Sequence, residues 1–159
     1  MLSKTPLLVL VSLLAGCGFH LQNAFTVPTE MERTYIAAED RHSLFYRELR
    51  RQLREAGVQL ADIPDDATAT LTISVDETNQ RVLSVSTRNV PTEYEVYYSI
   101  EYGVDSGDTN LLGRQFITLT RDYTYDETLV LGKAHEEQLL REAIVEDLVR
   151  IVFKQLGTL

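Results

Sequence analysis

The sequence contains few of the residues on which disulfide-stabilised, metal-binding or membrane-spanning proteins depend. Its 159 residues include one cysteine, three histidines and no tryptophan, and the formal net charge is −9. A single thiol cannot form an intramolecular disulfide, so stability must come from a hydrophobic core. The acidic charge argues against a nucleic-acid partner, because the phosphate backbone attracts basic surfaces.

The sequence also lacks the motifs of common enzyme classes. The His-Glu-Glu sequence at residues 135–137 does not have the spacing of a zinc-protease helix and is typical of an exposed helix start. Asp62, Asp65 and Asp66 do not have the spacing of a calcium-binding loop. There is no phosphate-binding loop, dinucleotide-binding glycine motif or nucleophile turn. We therefore expect a protein that is not an enzyme and that holds no metal or cofactor.

The N-terminal segment is organised like a secretory signal. Lys4 precedes an apolar run at residues 7–14, which is far shorter than the roughly 20 residues of a membrane-spanning helix. The run leads into Leu-Ala-Gly-Cys, which ends at Cys17. This sequence resembles the lipobox of bacterial lipoproteins, in which the chain is cut before the cysteine and the cysteine is acylated.

The resemblance to a lipobox implies processing, anchoring and a location. Residues 1–16 would be a signal peptide, residues 17–30 a lipidated tether and residues 31–159 a single domain of ordinary size. Several acyl chains on Cys17 give stable membrane anchoring, whereas one chain binds only marginally. Gly18 stands where many lipoproteins retained in the inner membrane carry aspartate. The resemblance therefore points to the periplasmic side of the cell outer membrane.

Hydrophobic periodicity predicts two helices and four strands in the proposed domain. The first helix begins at Asp40 or Ser43 and ends at Ala56, because either side chain can cap it and Gly57 suits a left-handed C-terminal residue. The second helix spans residues 134–156 and is apolar over more than half its circumference. The predicted strands are 31–37, 67–75 continuing through a bulge or bend at 77–80 into 81–87, 93–104 and 115–125.

The element order β-α-β-β-β-α predicts an α+β domain in which two helices pack on one face of a four-stranded, mostly antiparallel sheet. Alternation predicts one apolar sheet face and a second face of threonine, serine and glutamate. The residues expected on the apolar face include Leu71, Ile73, Val75, Val96, Tyr98, Ile100 and Leu119.

The first predicted helix carries arginines on the side opposite its apolar face. Residues 41–56 contain five arginines and two glutamates, so this short segment is basic in an acidic chain. A solvated charged face is the commoner explanation of such a pattern, and a binding surface is the alternative. The arginines that gather on this face are Arg47, Arg50, Arg51 and Arg54.

Three stretches, taken together, are similar to the LptE (RlpB) family of lipopolysaccharide-assembly lipoproteins. They are Cys-Gly-Phe-His-Leu from Cys17, Arg-Val-Leu-Ser-Val at residues 81–85 leading to Arg88 and Glu-Tyr at residues 93–94, and Arg-Asp-Tyr-Thr-Tyr-Asp-Glu at residues 121–127 followed by Leu-Gly-Lys at 131–133. The resemblance implies two helices on a four-stranded sheet. It also implies a 1:1 plug inside the LptD outer-membrane β-barrel, and a role in lipopolysaccharide transport and binding.

In that family a basic residue in the central hairpin and a lysine before the second helix are tied to lipopolysaccharide binding, and Arg88 and Lys133 match these positions. The sequence ends at Leu159 without the polar tail that many members of the family carry, and its acidic charge opposes a polyanionic ligand. Two other functions stay open. One is an outer-membrane lipoprotein that scaffolds another envelope complex, and the other is a periplasmic enzyme built from distant residues such as His135 and Glu136.

Overall fold

The computed structural model describes residues 27–124 and 130–159, with the side chains of residues 130–134 excepted. These residues form five strands and two α-helices, with four strands following one another between the helices. In chain order they are β1 (Arg33–Ala38), α1 (Leu44–Glu55), β2 (Gln59–Leu60), β3 (Ala69–Val85), β4 (Pro91–Ser106), β5 (Thr109–Thr124) and α2 (Val130–Leu156).

The strands form one mixed sheet with the order β2-β1-β3-β4-β5. Strands β3, β4 and β5 are an antiparallel meander, while β1 pairs in parallel with both β3 and β2. The predicted α+β fold is confirmed, except that the sheet has five strands where four were predicted. The extra strand, β2, has only two residues, and two residues are too few to show an alternation in the sequence.

Both helices pack on the same face of this sheet, as predicted. The Tyr98 hydroxyl accepts a hydrogen bond from the Phe45 amide of α1 at 3.3 Å, and the Tyr102 hydroxyl donates to Gln155 of α2. Tyr98 and Tyr102 are four residues apart on β4, so their side chains lie on one face. The largest fully buried side chains are Tyr98, Tyr102, Phe45, Met31, Leu49, Leu53, Leu71, Ile100, Ile144, Leu148, Leu156 and Val96.

Strand β3 pairs regularly with β4 through residues 77–80, so the bulge or bend predicted there was wrong. The irregularity lies earlier, where the pairing with β4 shifts between Ile73 and Val75. The extra residue of this bulge reverses the alternation that follows it. Val75 therefore lies opposite Glu101 on the open face, and not beside Leu71 as the sequence pattern predicted.

The bulge also brings Asp76 to the helix-facing side of the sheet, opposite Ile100. Its carboxylate accepts hydrogen bonds from the Ser43 hydroxyl at 2.5 Å and from the Tyr98 hydroxyl at 2.7 Å. Burial, and then the hydrogen bond to Asp76, raise the pKa of Tyr98 above its usual range. Asp76 thus joins the start of α1 to two central strands.

The ends of α1 are as predicted. The Ser43 hydroxyl accepts a hydrogen bond from the Tyr46 amide at 3.0 Å, which caps the helix. Gly57 has a φ of 91°, the left-handed conformation that glycine adopts without a steric penalty. Val27 packs against the core, although it lies in the segment predicted to be the tether.

The face of the sheet without helices is polar, in agreement with the predicted alternation. Along β5 it presents Thr118, Thr120 and Asp122, which lie opposite Ser99, Tyr97 and Glu95 of β4. Phe116 shares this face and is 63% exposed. Strand β5 is an edge strand, so the polar face continues to that edge of the sheet.

Candidate functional site

The hairpin of β3 and β4 extends past the packed core. Between Arg81 and Glu95, no residue is buried. The turn is closed by hydrogen bonds from the Ser86 amide to the Val90 carbonyl at 2.7 Å and from the Asn89 amide to the Ser86 carbonyl at 2.9 Å. Arg88 lies in this turn and is exposed. Its predicted position at a hairpin tip is confirmed, and its role in binding stays a prediction.

Exposed apolar side chains lie on the strand that leads into the turn of this basic residue. Val82, Leu83 and Val85 are 47%, 44% and 53% exposed, respectively. The β3–β4 pairing shifts register twice in this stretch, between Val82 and Ser84 and between Ser84 and Val85. The end of the hairpin therefore combines one cation with an apolar surface that the described residues leave open.

Lys133 is placed differently from its predicted position. Helix α2 begins at Val130 and not at residue 134, so Lys133 lies within its first turn and not ahead of it. Gly132 suggested a boundary in the sequence, but a glycine inside a helix costs only about 1 kcal/mol relative to alanine. The side chain of Lys133 is outside the described residues.

The start of α2 points toward the exposed end of the hairpin. Arg141 donates to the Thr78 hydroxyl of β3 at 2.5 Å and to Glu137 at 2.5 Å. Lys133 is eight residues before Arg141, roughly 12 Å along the helix. Arg88 is ten residues beyond Thr78, up to roughly 30 Å along the hairpin. The two basic residues thus lie toward the same end of the domain.

Aromatic packing fixes the base of the extended hairpin. The rings of Tyr94 and Tyr123 stack with their centroids 5.6 Å apart. The Tyr123 hydroxyl donates to Gln80 at 2.9 Å, and burial raises the pKa of Tyr123 to about 12. The exposed end of the β3–β4 hairpin therefore extends from a well-packed base.

The arginines predicted on one face of α1 all line a single cleft, whose other wall is formed by β1 and the segment around β2. Arg51 is neutralised there by Glu48 and by Glu55, whose oxygen is 2.7 Å from the guanidinium. These carboxylates raise the pKa of Arg51, and the hydrogen bond from Arg51 lowers the pKa of Glu48. Sequence reasoning identified the arginine face but not the cleft.

The residues of the other predicted sites show no catalytic or metal-binding arrangement. Cys17 lies outside the described residues, and its lipidation stays a prediction. His135 and Glu136 are exposed at the beginning of α2. Across residues 27–124 and 130–159, no three histidine, cysteine or acidic side chains are close enough to hold a metal ion. Neither helix in this part of the chain has the length and apolarity needed to cross a bilayer.

Comparison with known proteins gives a consistent set of relatives. A family model described as "LptE: Lipopolysaccharide-assembly" matches residues 31–156. The LPS-assembly lipoprotein LptE of Yersinia enterocolitica is 26% identical over 144 residues, covering 89% of this chain and 69% of that protein. The LptE protein of Yersinia pestis is 27% identical over 150 residues, covering 91% of this chain and 70% of that protein.

Solved structures share the fold. The structure of lipoprotein B from Nitrosomonas europaea superposes with a TM-score of 0.73 at 23% identity, covering 86% of this chain and 87% of that one. Rare lipoprotein B from Shewanella oneidensis superposes with a TM-score of 0.68 at 22% identity, covering 79% of this chain and 94% of that one. At these identities the likeness extends to the fold alone.

Proposed function

This chain belongs to the LptE family of lipopolysaccharide-assembly proteins, and from that premise we propose that it binds lipopolysaccharide at the exposed end of the β3–β4 hairpin while plugging the LptD β-barrel. Its function is binding and assembly, and not catalysis. The observation that carries the proposal is that exposed Arg88 lies at the end of the same hairpin as the exposed side chains of Val82, Leu83 and Val85.

Lipopolysaccharide has phosphate groups beside acyl chains, and this end of the domain offers a partner for each. A guanidinium forms bidentate hydrogen bonds with phosphate, and the N-terminus of a helix favours an anion through its free amides and dipole. The first turn of α2, with Lys133 in it, supplies such a terminus. Because Arg88 and Lys133 lie far apart along the hairpin direction, they suit separate anionic groups of one large ligand.

The polar sheet face supports the proposed place inside a barrel. The interiors of large outer-membrane barrels are polar, so a plug needs a surface that exchanges hydrogen bonds with polar walls. Thr118, Thr120 and Asp122 provide donors and acceptors along the edge strand. The chain's net charge of −9 restricts lipopolysaccharide binding to local basic sites, because the protein as a whole repels a polyanion.

We further propose that Cys17 is the mature, triacylated N-terminus and anchors the domain to the periplasmic side of the outer membrane. Intact-mass measurement of the membrane-extracted protein tests this assignment. The expected mass lacks residues 1–16 and includes acyl chains. An uncleaved chain, or a cleaved chain with an unmodified thiol, would remove the basis for the location.

The proposed function is tested by detergent extraction of the full chain, affinity purification, and mass spectrometry of bound protein and lipid. We expect a large β-barrel protein in a 1:1 ratio together with lipopolysaccharide. Recovery of other envelope proteins without lipopolysaccharide would favour the alternative of a generic scaffolding lipoprotein. A lipoprotein that passes through the same extraction without a barrel partner serves as the background control.

A further inference from the structure

A second basic site lies far from the hairpin, in the cleft of about 650 Å³ between α1 and the β1–β2 edge of the sheet. One wall carries the arginine face of α1. The opposite wall is formed by Tyr35 of β1 and by Leu60 and Asp62 at β2. Arg41, which precedes α1, donates to the Tyr35 hydroxyl at 2.7 Å and lies 5.7 Å from the centre of its ring.

The guanidinium groups of this cleft are not neutralised equally. Arg51 is paired with Glu48 and Glu55. In contrast, Arg50 and Arg54 form no ion pair or side-chain hydrogen bond with any residue that the structure describes. Arg47 also borders a smaller groove that holds Glu142 and Glu146, which weakens its attraction for an anion. Arg50 and Arg54 are therefore the two guanidinium groups of the helix wall that no carboxylate in the described part of the chain engages.

From this arrangement we propose that the cleft binds a phosphate group carried on a saccharide. The planar guanidinium groups of Arg50 and Arg54 can each donate two parallel hydrogen bonds to phosphate oxygens. The Asp62 carboxylate, also in the cleft, repels a ligand that is charged along its whole length but accepts hydrogen bonds from sugar hydroxyls. The volume is also larger than a lone phosphate ion requires. These features favour a phosphorylated sugar over inorganic phosphate or an acidic peptide.

The cleft is distinct from the proposed lipopolysaccharide site at the hairpin. Tyr35 of the cleft lies opposite Thr70 of β3, and fifteen residues of strand separate Thr70 from Val85, the last residue before the turn that holds Arg88. This corresponds to roughly 45–50 Å of extended chain. The proposal therefore does not depend on the function proposed above, and either one can fail without the other.

Calorimetric titration of the full chain in nonionic detergent tests the proposal with trehalose 6-phosphate as the probe. Unphosphorylated trehalose and inorganic phosphate are the comparison ligands. The test variant is Arg50→Gln with Arg54→Gln, and the control is Arg33→Gln with Lys154→Gln, which changes the net charge equally at exposed positions outside the cleft. Circular dichroism checks that both variants fold.

We expect the dissociation constant for trehalose 6-phosphate to rise at least tenfold in the test variant and to change less than twofold in the control. Detergent micelles that contain phosphatidylinositol 4-phosphate form a further arm. Tighter binding of this lipid than of trehalose 6-phosphate would identify a lipid headgroup as the source of the phosphorylated saccharide, and the reverse would identify a soluble or glycan source.

Four outcomes would overturn the proposal. They are absence of trehalose 6-phosphate binding, equal losses in the two variants, inorganic phosphate binding as tightly as the sugar phosphate, and displacement of the sugar phosphate by a polyglutamate peptide that binds more tightly. The last outcome would assign the cleft to an acidic protein segment.

Discussion

Replacing Asp76 with asparagine tests how the helix layer is fixed to the sheet. Both carboxylate oxygens are used, one by the Tyr98 hydroxyl at 2.7 Å and the other by the Ser43 hydroxyl at 2.5 Å. Asparagine keeps the size of the side chain but has only one accepting oxygen. In the Asp76→Asn variant the amide NH₂ group replaces one of the two oxygens. Either the Tyr98 or the Ser43 hydroxyl therefore loses the oxygen to which it donates.

The expected decrease in the free energy of unfolding follows from the hydrogen bonds that the substitution removes. A buried polar group left without its partner costs about 1–3 kcal/mol, and a bond to a charged group lies at the upper end of that range. If Ser43 is the group affected, the cap of α1 also weakens, and an N-cap is worth about 1 kcal/mol. We expect the free energy of unfolding to fall by about 2–4 kcal/mol.

Urea unfolding of the full chain in nonionic detergent at pH 7, followed by circular dichroism, measures this change. Glu77→Gln is the matched control, because Glu77 is the next residue of β3, is exposed, and lies on the open face opposite Ser99. The control should change stability by less than about 0.5 kcal/mol. Similar losses in the two variants, or a loss below about 0.5 kcal/mol for Asp76→Asn, would refute the role of Asp76.

Three further predictions can be checked by measuring unfolding in the same way. Leu49→Ala empties a fully buried position and should cost about 2–5 kcal/mol, whereas Thr70→Ala on the open face should cost less than about 1 kcal/mol. Equal costs would contradict the two-layer arrangement. Burial raises the pKa of Tyr102 to about 12, so its contribution to stability is fully present below pH 10 and is lost as the pH rises toward 12. Tyr102→Phe should make stability less dependent on pH across that interval, and an unchanged dependence would contradict this assignment. Arg121→Gln removes a partly exposed ion pair with Asp147 at 2.5 Å and should cost less than about 1 kcal/mol, with a smaller loss in 1 M salt. A larger loss that salt does not reduce would contradict a screened surface pair.

The sequence predicted those features that depend on local chemistry. The cap at Ser43 and the left-handed Gly57 follow from residue type and from the helical period between them. The turn that holds Arg88 follows from Asn89, which has a positive φ of 61°, and from the proline at residue 91. These features could be predicted from the sequence because each depends on residues only a few positions apart.

The features that the sequence did not predict depend on pairing between distant residues. Val75 continues an apolar alternation in the sequence, and only its register against β4 shows that a bulge has reversed the strand. The cleft beside α1 needs the parallel pairing of β1 with β2, which joins residues about 26 positions apart. No local pattern could show that Asp62 and Tyr35 line the same cleft as the arginines.

Lipopolysaccharide binding by the Arg88→Glu, Lys133→Glu double variant tests the central claim most directly. The measurement is the affinity of the full chain for purified lipopolysaccharide in nonionic detergent, with Arg114→Glu and Lys154→Glu together as a control of equal charge change. We expect an affinity at least tenfold lower in the test variant, a change of less than twofold in the control, and intact folding in both. Unchanged affinity in the folded test variant would contradict the assignment of lipopolysaccharide binding to the hairpin end.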